Sequence, residues 1–226
     1  MSLERNRGNR LCEYFAIVSC PLATPPSPDE RTIITLQDEI HTSHSQDTNA
    51  TLEMVSDIFK PKVTARYPLT DYPENAFSKE GVTTFSMPRG SEVKSRYSLP
   101  KIHHFVTTSE AGLRNYGTVM VVFEETSLPI SSYFTFTPTH PTDSSVETSS
   151  HSPDDSLSDS PITVFVPKAL VLLSLTPFLP TFRSYLSQLY RLSTTPTPLP
   201  LERYIRNITL EVPSPPMDPT IPAFPA

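Results

Sequence analysis

The chain has 226 residues, a formal net charge of −6, and 26 prolines against only five glycines. That proline load is more than twice the usual ~5 %, so no compact core draws on every segment. The mild acidity excludes a nucleic-acid footprint, which requires clustered Lys and Arg.

The first apolar run, Leu11–Cys20, is flanked by its two cysteines. On one extended strand, eight steps separate Cys12 and Cys20 by roughly 26 Å, whereas a disulfide needs Cα atoms within about 7 Å. Two free, buried thiols are expected, which suits a reducing compartment. Arg5, Arg7 and Arg10 precede the run as in a leader peptide, but Glu13 interrupts the apolar stretch and argues against one. No apolar run reaches the ~18 residues of a membrane span. Within the run, Tyr14, Ala16 and Val18 share one face and Phe15 and Ile17 the other. Both faces are apolar, so the spacing predicts a buried strand.

Pro21–Asp29 (PLATPPSPD) cannot pair as a central strand, and the polar stretch 35–50 reads as loop. Lys62–Tyr67 (KVTARY) is a short strand closed by Pro68, and Tyr72–Asn75 is a turn. Gly81–Met87 (GVTTFSM) reads as a further strand, ended by Pro88-Arg89-Gly90. Ile102–Thr108 and Tyr116–Phe123 form a hairpin around Ser109–Gly112, with Gly112 free to take φ > 0. Val119, Val121 and Phe123 face one way, and Tyr116, Met120 and Val122 the other, which predicts a strand covered on both sides.

From Ser127 to Pro161 the pattern is lost. The Ser/Asp-rich part cannot bury enough surface to offset its ordering entropy. Ser152 and Ser160 each precede a proline and are candidate phosphorylation positions, where phosphate would add charge to an acidic segment; the plain alternative is a solvated spacer. Ile162–Ser174 is again strand-like, interrupted by Pro167. A helix follows, with Thr176 as N-cap and Pro177 at its first position. Its stripe is Phe178, Phe182, Tyr185, Leu186 and Leu189. Tyr204–Val212 reads as a last strand, and Pro213–Ala226 as a disordered tail.

Covalent chemistry has no visible carrier. His103 and His104 are adjacent, so on a strand they point to opposite faces and cannot share a metal. Glu124-Glu125 reads as a solvated strand end. There is no glycine-rich phosphate loop and no Cys/His cluster at metal spacing, and Ser174 and Ser184 lack the context of a nucleophile. No catalytic, cofactor-binding or metal-binding residue is assigned, and no cofactor is expected.

Taken in order, several segments resemble the DENN family of Rab-GTPase exchange factors, in particular the group that also carries RUN and PLAT domains. Tyr14-Phe15 with Val18 is similar to the family's opening strand. Pro61-Lys62-Val63 and Ala65-Arg66-Tyr67-Pro68 resemble its second strand, and Met87-Pro88 with Gly90 its corner. Phe105, Thr107, Gly112, Tyr116-Gly117 and Phe123-Glu124-Glu125 resemble its hairpin. Val166–Leu192 is similar to the opening strand and helix of the core DENN region, and Leu199–Glu202 through Pro213 to the connection beyond. One departure stands out: the family places a helix directly after the fifth strand, whereas TSLPISSYFTFTPTH carries two prolines and β-prone residues.

The resemblance implies an α+β protein in four parts. These are a longin-like upstream DENN lobe over 11–126 with a disordered loop near 21–56, a disordered linker over 127–161, an incomplete core DENN lobe over 162–212, and a disordered tail over 213–226. It implies that the helix stripe lacks packing partners and stays exposed. The implied function is guanine-nucleotide exchange on a Rab GTPase in the cytoplasm, peripheral to Golgi or endosomal membranes, with membrane association only through partners. Such exchange works by differential affinity for the nucleotide-free GTPase, so it is not enzymatic in the covalent sense. The chain is expected to be weak or inactive alone. A non-catalytic Rab- or partner-binding module, or a truncated product without independent function, stays open.

Overall fold

A computed structural model describes residues 10–20, 60–94, 96–109, 112–129 and 161–215. The strands are β1 (Tyr14–Ser19), β2 (Lys62–Tyr67), β3 (Lys101–Thr108), β4 (Arg114–Pro129) and β5 (Pro161–Ser174). The helices are α1 (Lys79–Ser86), α2 (Leu179–Ser193) and α3 (Leu201–Arg206), the last running into a π-helical turn, Asn207–Glu211. The fold is α+β: one antiparallel five-stranded sheet, ordered β2-β1-β5-β4-β3, with helices on both faces.

The alternation in β1 is as its sequence predicts. Tyr14, Ala16 and Val18 join the α1-side core with Val119, Val171 and Leu173. Phe15 and Ile17 join the α2-side core with Met120, Leu170, Leu172, Phe182 and Leu186. The β3–β4 hairpin forms as expected, with Gly112 at φ 78°. Both cysteines are free and buried.

β5 overturns the expected division into two lobes. The strand read as opening a second lobe is the central strand of the one sheet, paired to β1 from Tyr14↔Leu173 to Ser19↔Lys168 and to β4 from Tyr116↔Ser174 to Pro129↔Pro161. Pro167 does not interrupt it. That residue falls between the last β1 rung at Lys168 and the bridge from Phe165 to Lys94, so its missing N–H leaves no rung unmade. β4 likewise continues to Pro129, so Glu124-Glu125 lies within a strand rather than at its end. The ends of the expected linker are therefore paired residues, and 130–160 joins the two arms of a hairpin.

Gly81–Met87 is helical, not extended. Ser78 Oγ accepts the Gly81 N–H at 3.1 Å, an N-cap bond that starts the helix. Val82 and Ser86, four residues apart, then face the sheet. β-branched Val82, Thr83 and Thr84 favour a strand locally, and tertiary packing overrides that preference. Tyr204–Val212 is helical too. Its buried residues are Ile208 and Thr209, which are consecutive and not alternating, and Glu211 accepts from Arg203 and Asn207 across the turn.

α2 begins at Leu179 after Phe178, without a side-chain cap, rather than at Thr176 and Pro177; Pro180 lies in its first turn. Its stripe is not exposed. Phe182, Leu186 and Leu189 are buried, and Phe178 and Tyr185 pack against them over β1, β4 and β5. The loop expected near 21–56, most of the linker including Ser152 and Ser160, and the tail beyond 215 lie outside the described residues.

Candidate functional site

On the α1 side, a polar network crosses the lower end of the sheet. Tyr14 leaves β1 with its ring 5.2 Å from those of Tyr72 and Phe77. Its hydroxyl donates to the Asn75 carbonyl at 2.8 Å and accepts the Tyr72 N–H at 2.7 Å. Burial pushes that hydroxyl up to about 12, so it stays a donor at neutral pH. Asn75 and Asn115, both buried, exchange amide hydrogen bonds at 2.8 Å in each direction. This pair ties the 72–77 turn to β4.

Arg10 closes the network. Its guanidinium lies 3.7 Å from the centre of the Tyr72 ring and pairs with Glu13 at 3.1 Å and Glu74 at 3.3 Å. Burial is the largest influence and works against its charge, but Glu13, Tyr72 and Glu74 together outweigh it, so the group stays firmly protonated. Glu13 is 1 % exposed. Pairing with Arg10 compensates the burial of this side chain. From the sequence, Glu13 reads as an interruption, Arg10 as part of a leader-like cationic start and Asn75 as a turn residue, and Asn115 has no role. The one available signal is the charge of Glu13 inside the apolar run LCEYF.

The residues that carry the family resemblance fall into three groups. Around the hairpin, Phe105 lies over Gly117, its cross-strand partner, and stacks on Phe85 with centroids 5.5 Å apart. Thr107 and Tyr116 follow along the same ladder. Near the top of the sheet the Lys94 ammonium lies 4.7 Å from the centre of the Phe123 ring. After α1, Met87 is buried, and its carbonyl accepts the Gly90 N–H at 2.9 Å; Gly90 has φ 76°, and Pro88 sits in the turn between them. After β2, Arg66 bonds Asp71 at 2.5 Å and the Leu69 carbonyl, next to the cis Tyr67–Pro68 bond. Phe15 stands apart on the α2 face. All but Phe15 and Tyr116, which share the α2-facing side, thus support turns or the α1-facing side and edges of the sheet. They are positioned to shape a surface, not to converge on one reacting atom.

A cleft of about 320 Å³ opens between α1 and the lower ends of β3 and β4, lined by Val82, Phe85, Thr107, Ser109 and Asn115 among others. His103 and His104 point to opposite faces, as expected. His103 Nε2 bonds the Phe85 carbonyl oxygen at 3.0 Å, and His104 Nδ1 meets the Thr118 hydroxyl at 3.1 Å. The Ser174 hydroxyl donates to the Leu11 carbonyl at 2.7 Å. Burial raises both thiols, Cys20 to about 12, so neither forms a reactive thiolate. Among the described residues, no three His, Cys, Asp or Glu side chains come together as metal ligands, and no helix is long and apolar enough to cross a membrane.

Residues 61–122 match the uDENN domain family model, and residues 165–224 match that of the DENN (AEX-3) domain. The second match begins inside β5, four residues after its start, so the two matched segments interleave in one sheet. No solved structure matches the chain.

Proposed function

The chain belongs to the DENN-domain family, and on that premise we propose that it serves guanine-nucleotide exchange on a Rab GTPase in membrane trafficking. It does so by binding the nucleotide-free GTPase more tightly than the loaded one, which shifts the population toward release. This reading needs no cofactor and no nucleic acid. It places the protein in the cytoplasm, reaching Golgi or endosomal membranes through its partners. The RUN- and PLAT-containing group is the one its segments resemble. The observation that carries the reading is the pair of family matches in their expected order.

The element order supports a longin-like lobe: β1-β2-α1-β3-β4-β5-α2-α3 around a β2-β1-β5-β4-β3 sheet. In this reading β5 and α2 complete that lobe, and the helix that follows the fifth strand in the family is α2. The departure seen in the sequence then comes from counting strands without β5.

The test is release of a fluorescent nucleotide from a panel of Golgi and endosomal Rab GTPases by the 226-residue chain. Acceleration of one member supports exchange. Tight binding to a Rab with no acceleration supports a non-catalytic binding module instead, and neither activity against the whole panel overturns both and leaves a truncated product without independent function.

A further inference from the structure

We propose that the outer edge of β3 is a docking strip for an extended acidic peptide, which joins the sheet as a sixth strand. The hydrogen-bond phase of the hairpin defines the strip. Ser109 N–H donates to the Leu113 carbonyl at 2.8 Å, which makes Ser109–Leu113 a hydrogen-bonded pair. Pairing runs without a register shift from Thr108↔Arg114 to Lys101↔Val121, and in an antiparallel ladder such pairs alternate with non-bonded ones. Lys101, His103, Phe105 and Thr107 therefore direct their backbone groups at β4. Ile102, His104, Val106 and Thr108 direct theirs outward, and among the described residues no strand meets them.

The two edges of the sheet differ. β2 is short, pairs with β1 through a register shift at Ile17/Val18, and is followed at once by Pro68. Those are the usual defences against unwanted strand pairing. β3 is longer, with eight residues, and although Pro100 precedes it there is no proline and no register shift within it; Val106 on it is 53 % exposed. Beside it, Phe85 is 45 % exposed at the rim of the cleft that Thr107 lines. A strand added here would place side chains against that rim.

Charge selects the occupant. In a chain of net −6, this edge carries exposed Lys101, Arg114 and, from α2, Arg183. His104 is held below its ordinary pKa by burial and then by the neighbouring His103 and Arg183. Glu80 on α1 is the nearest acid of the facing helix, and Lys79 stands next to it. A second copy would bring the same basic strip against itself, whereas an acidic peptide meets it with opposite charge.

The test uses the full chain and a fluorescein-labelled octapeptide of alternating Glu and Val, with a Lys/Val octapeptide as control. Expected are anisotropy changes with the acidic peptide and at least tenfold weaker binding of the control. Amide exchange should slow at Ile102, His104, Val106 and Thr108. Val106→Pro removes one outward N–H that β4 does not use, and should weaken binding tenfold or more. Should that variant fold poorly, a Lys101→Glu, Arg183→Glu double variant leaves the backbone edge intact and should lose the preference for the acidic peptide. Equal affinity for the two peptides, or unchanged exchange at the four amides, overturns the proposal. So does a dimer of the chain that Val106→Pro dissociates, since the occupant is then a second copy. Nucleotide release is not read in these measurements, so their outcome is independent of the exchange reading.

Discussion

The ring of Phe105 lies so close over Gly117 that a Cβ there would meet three of its atoms at 2.3–2.6 Å. Glycine at 117 is thus a matter of space, because the ring fills the volume a side chain would occupy and reaches Phe85 on α1 at 5.5 Å. This stacking joins the hairpin to the helix above it, beside the bond from His103 Nε2 to the Phe85 carbonyl oxygen.

Gly117→Ala should therefore expel the ring and lose its stacking. A destabilisation of about 1–3 kcal/mol is expected for such overpacking, a fall of ~2–4 °C in melting temperature per kcal/mol for a chain of this size. In a Phe105→Ala background the same change should be neutral or mildly stabilising, because alanine restricts the unfolded chain. A thermal-melt double-mutant cycle reads the coupling. Additive effects would show that the ring does not hold this site.

The Asn75–Asn115 pair makes a second prediction. Asn115→Ala leaves the buried Asn75 amide without its partner, at a cost of about 1–3 kcal/mol. Replacing both with alanine should cost less than the sum of the single changes, since no orphaned amide remains. Urea unfolding of the three variants measures this. If the double variant instead loses the full sum, the two amides act independently.

How far the fold was legible depended on whether local pattern and tertiary contact agreed. β1 and the β3–β4 hairpin were legible because alternation on two apolar faces and a turn glycine point the same way. α1 was not, because Val82, Thr83 and Thr84 prefer strand, and only the Ser78 cap and the sheet beneath decide otherwise. β5 was recognised as a strand but given the wrong neighbours. A proline at 167 and a long Ser/Asp-rich stretch before it resemble a boundary, and nothing local shows that Pro129 and Pro161 are paired. The polar network was missed for a related reason: Arg10, Glu13, Asn75 and Asn115 come from three separate places in the chain.

Burial ranks the effect of charge in the sheet. Val119 is fully buried between β3 and β5, whereas Phe105 is half-buried on the edge strand. Val119→Asp should abolish cooperative unfolding, since an unpaired buried charge costs several kcal/mol against a total stability of ~5–15. Phe105→Asp should leave a folded chain with a lower melting temperature, because its carboxylate can turn to solvent past Phe85. Circular dichroism melts separate the two, and loss of the transition in both would place Phe105 in the core.

The strongest consequence of the topology concerns β5. β1 pairs with β2 and β4 with β3, and among the described residues no rung joins these two strand pairs except through β5. Removing it also removes Leu170 and Leu172 from one core and Ala169, Val171 and Leu173 from the other. An isolated two-stranded hairpin is marginally stable in water. A chain ending at residue 160 should therefore show no cooperative melt and no dispersed amide spectrum, although it contains the whole 61–122 match. Supplying residues 161–226 as a separate chain should restore both signals, because the missing strand and α2 then re-enter between β1 and β4. A folded, dispersed spectrum from residues 1–160 alone would sink the claim and return β5 to a separate lobe.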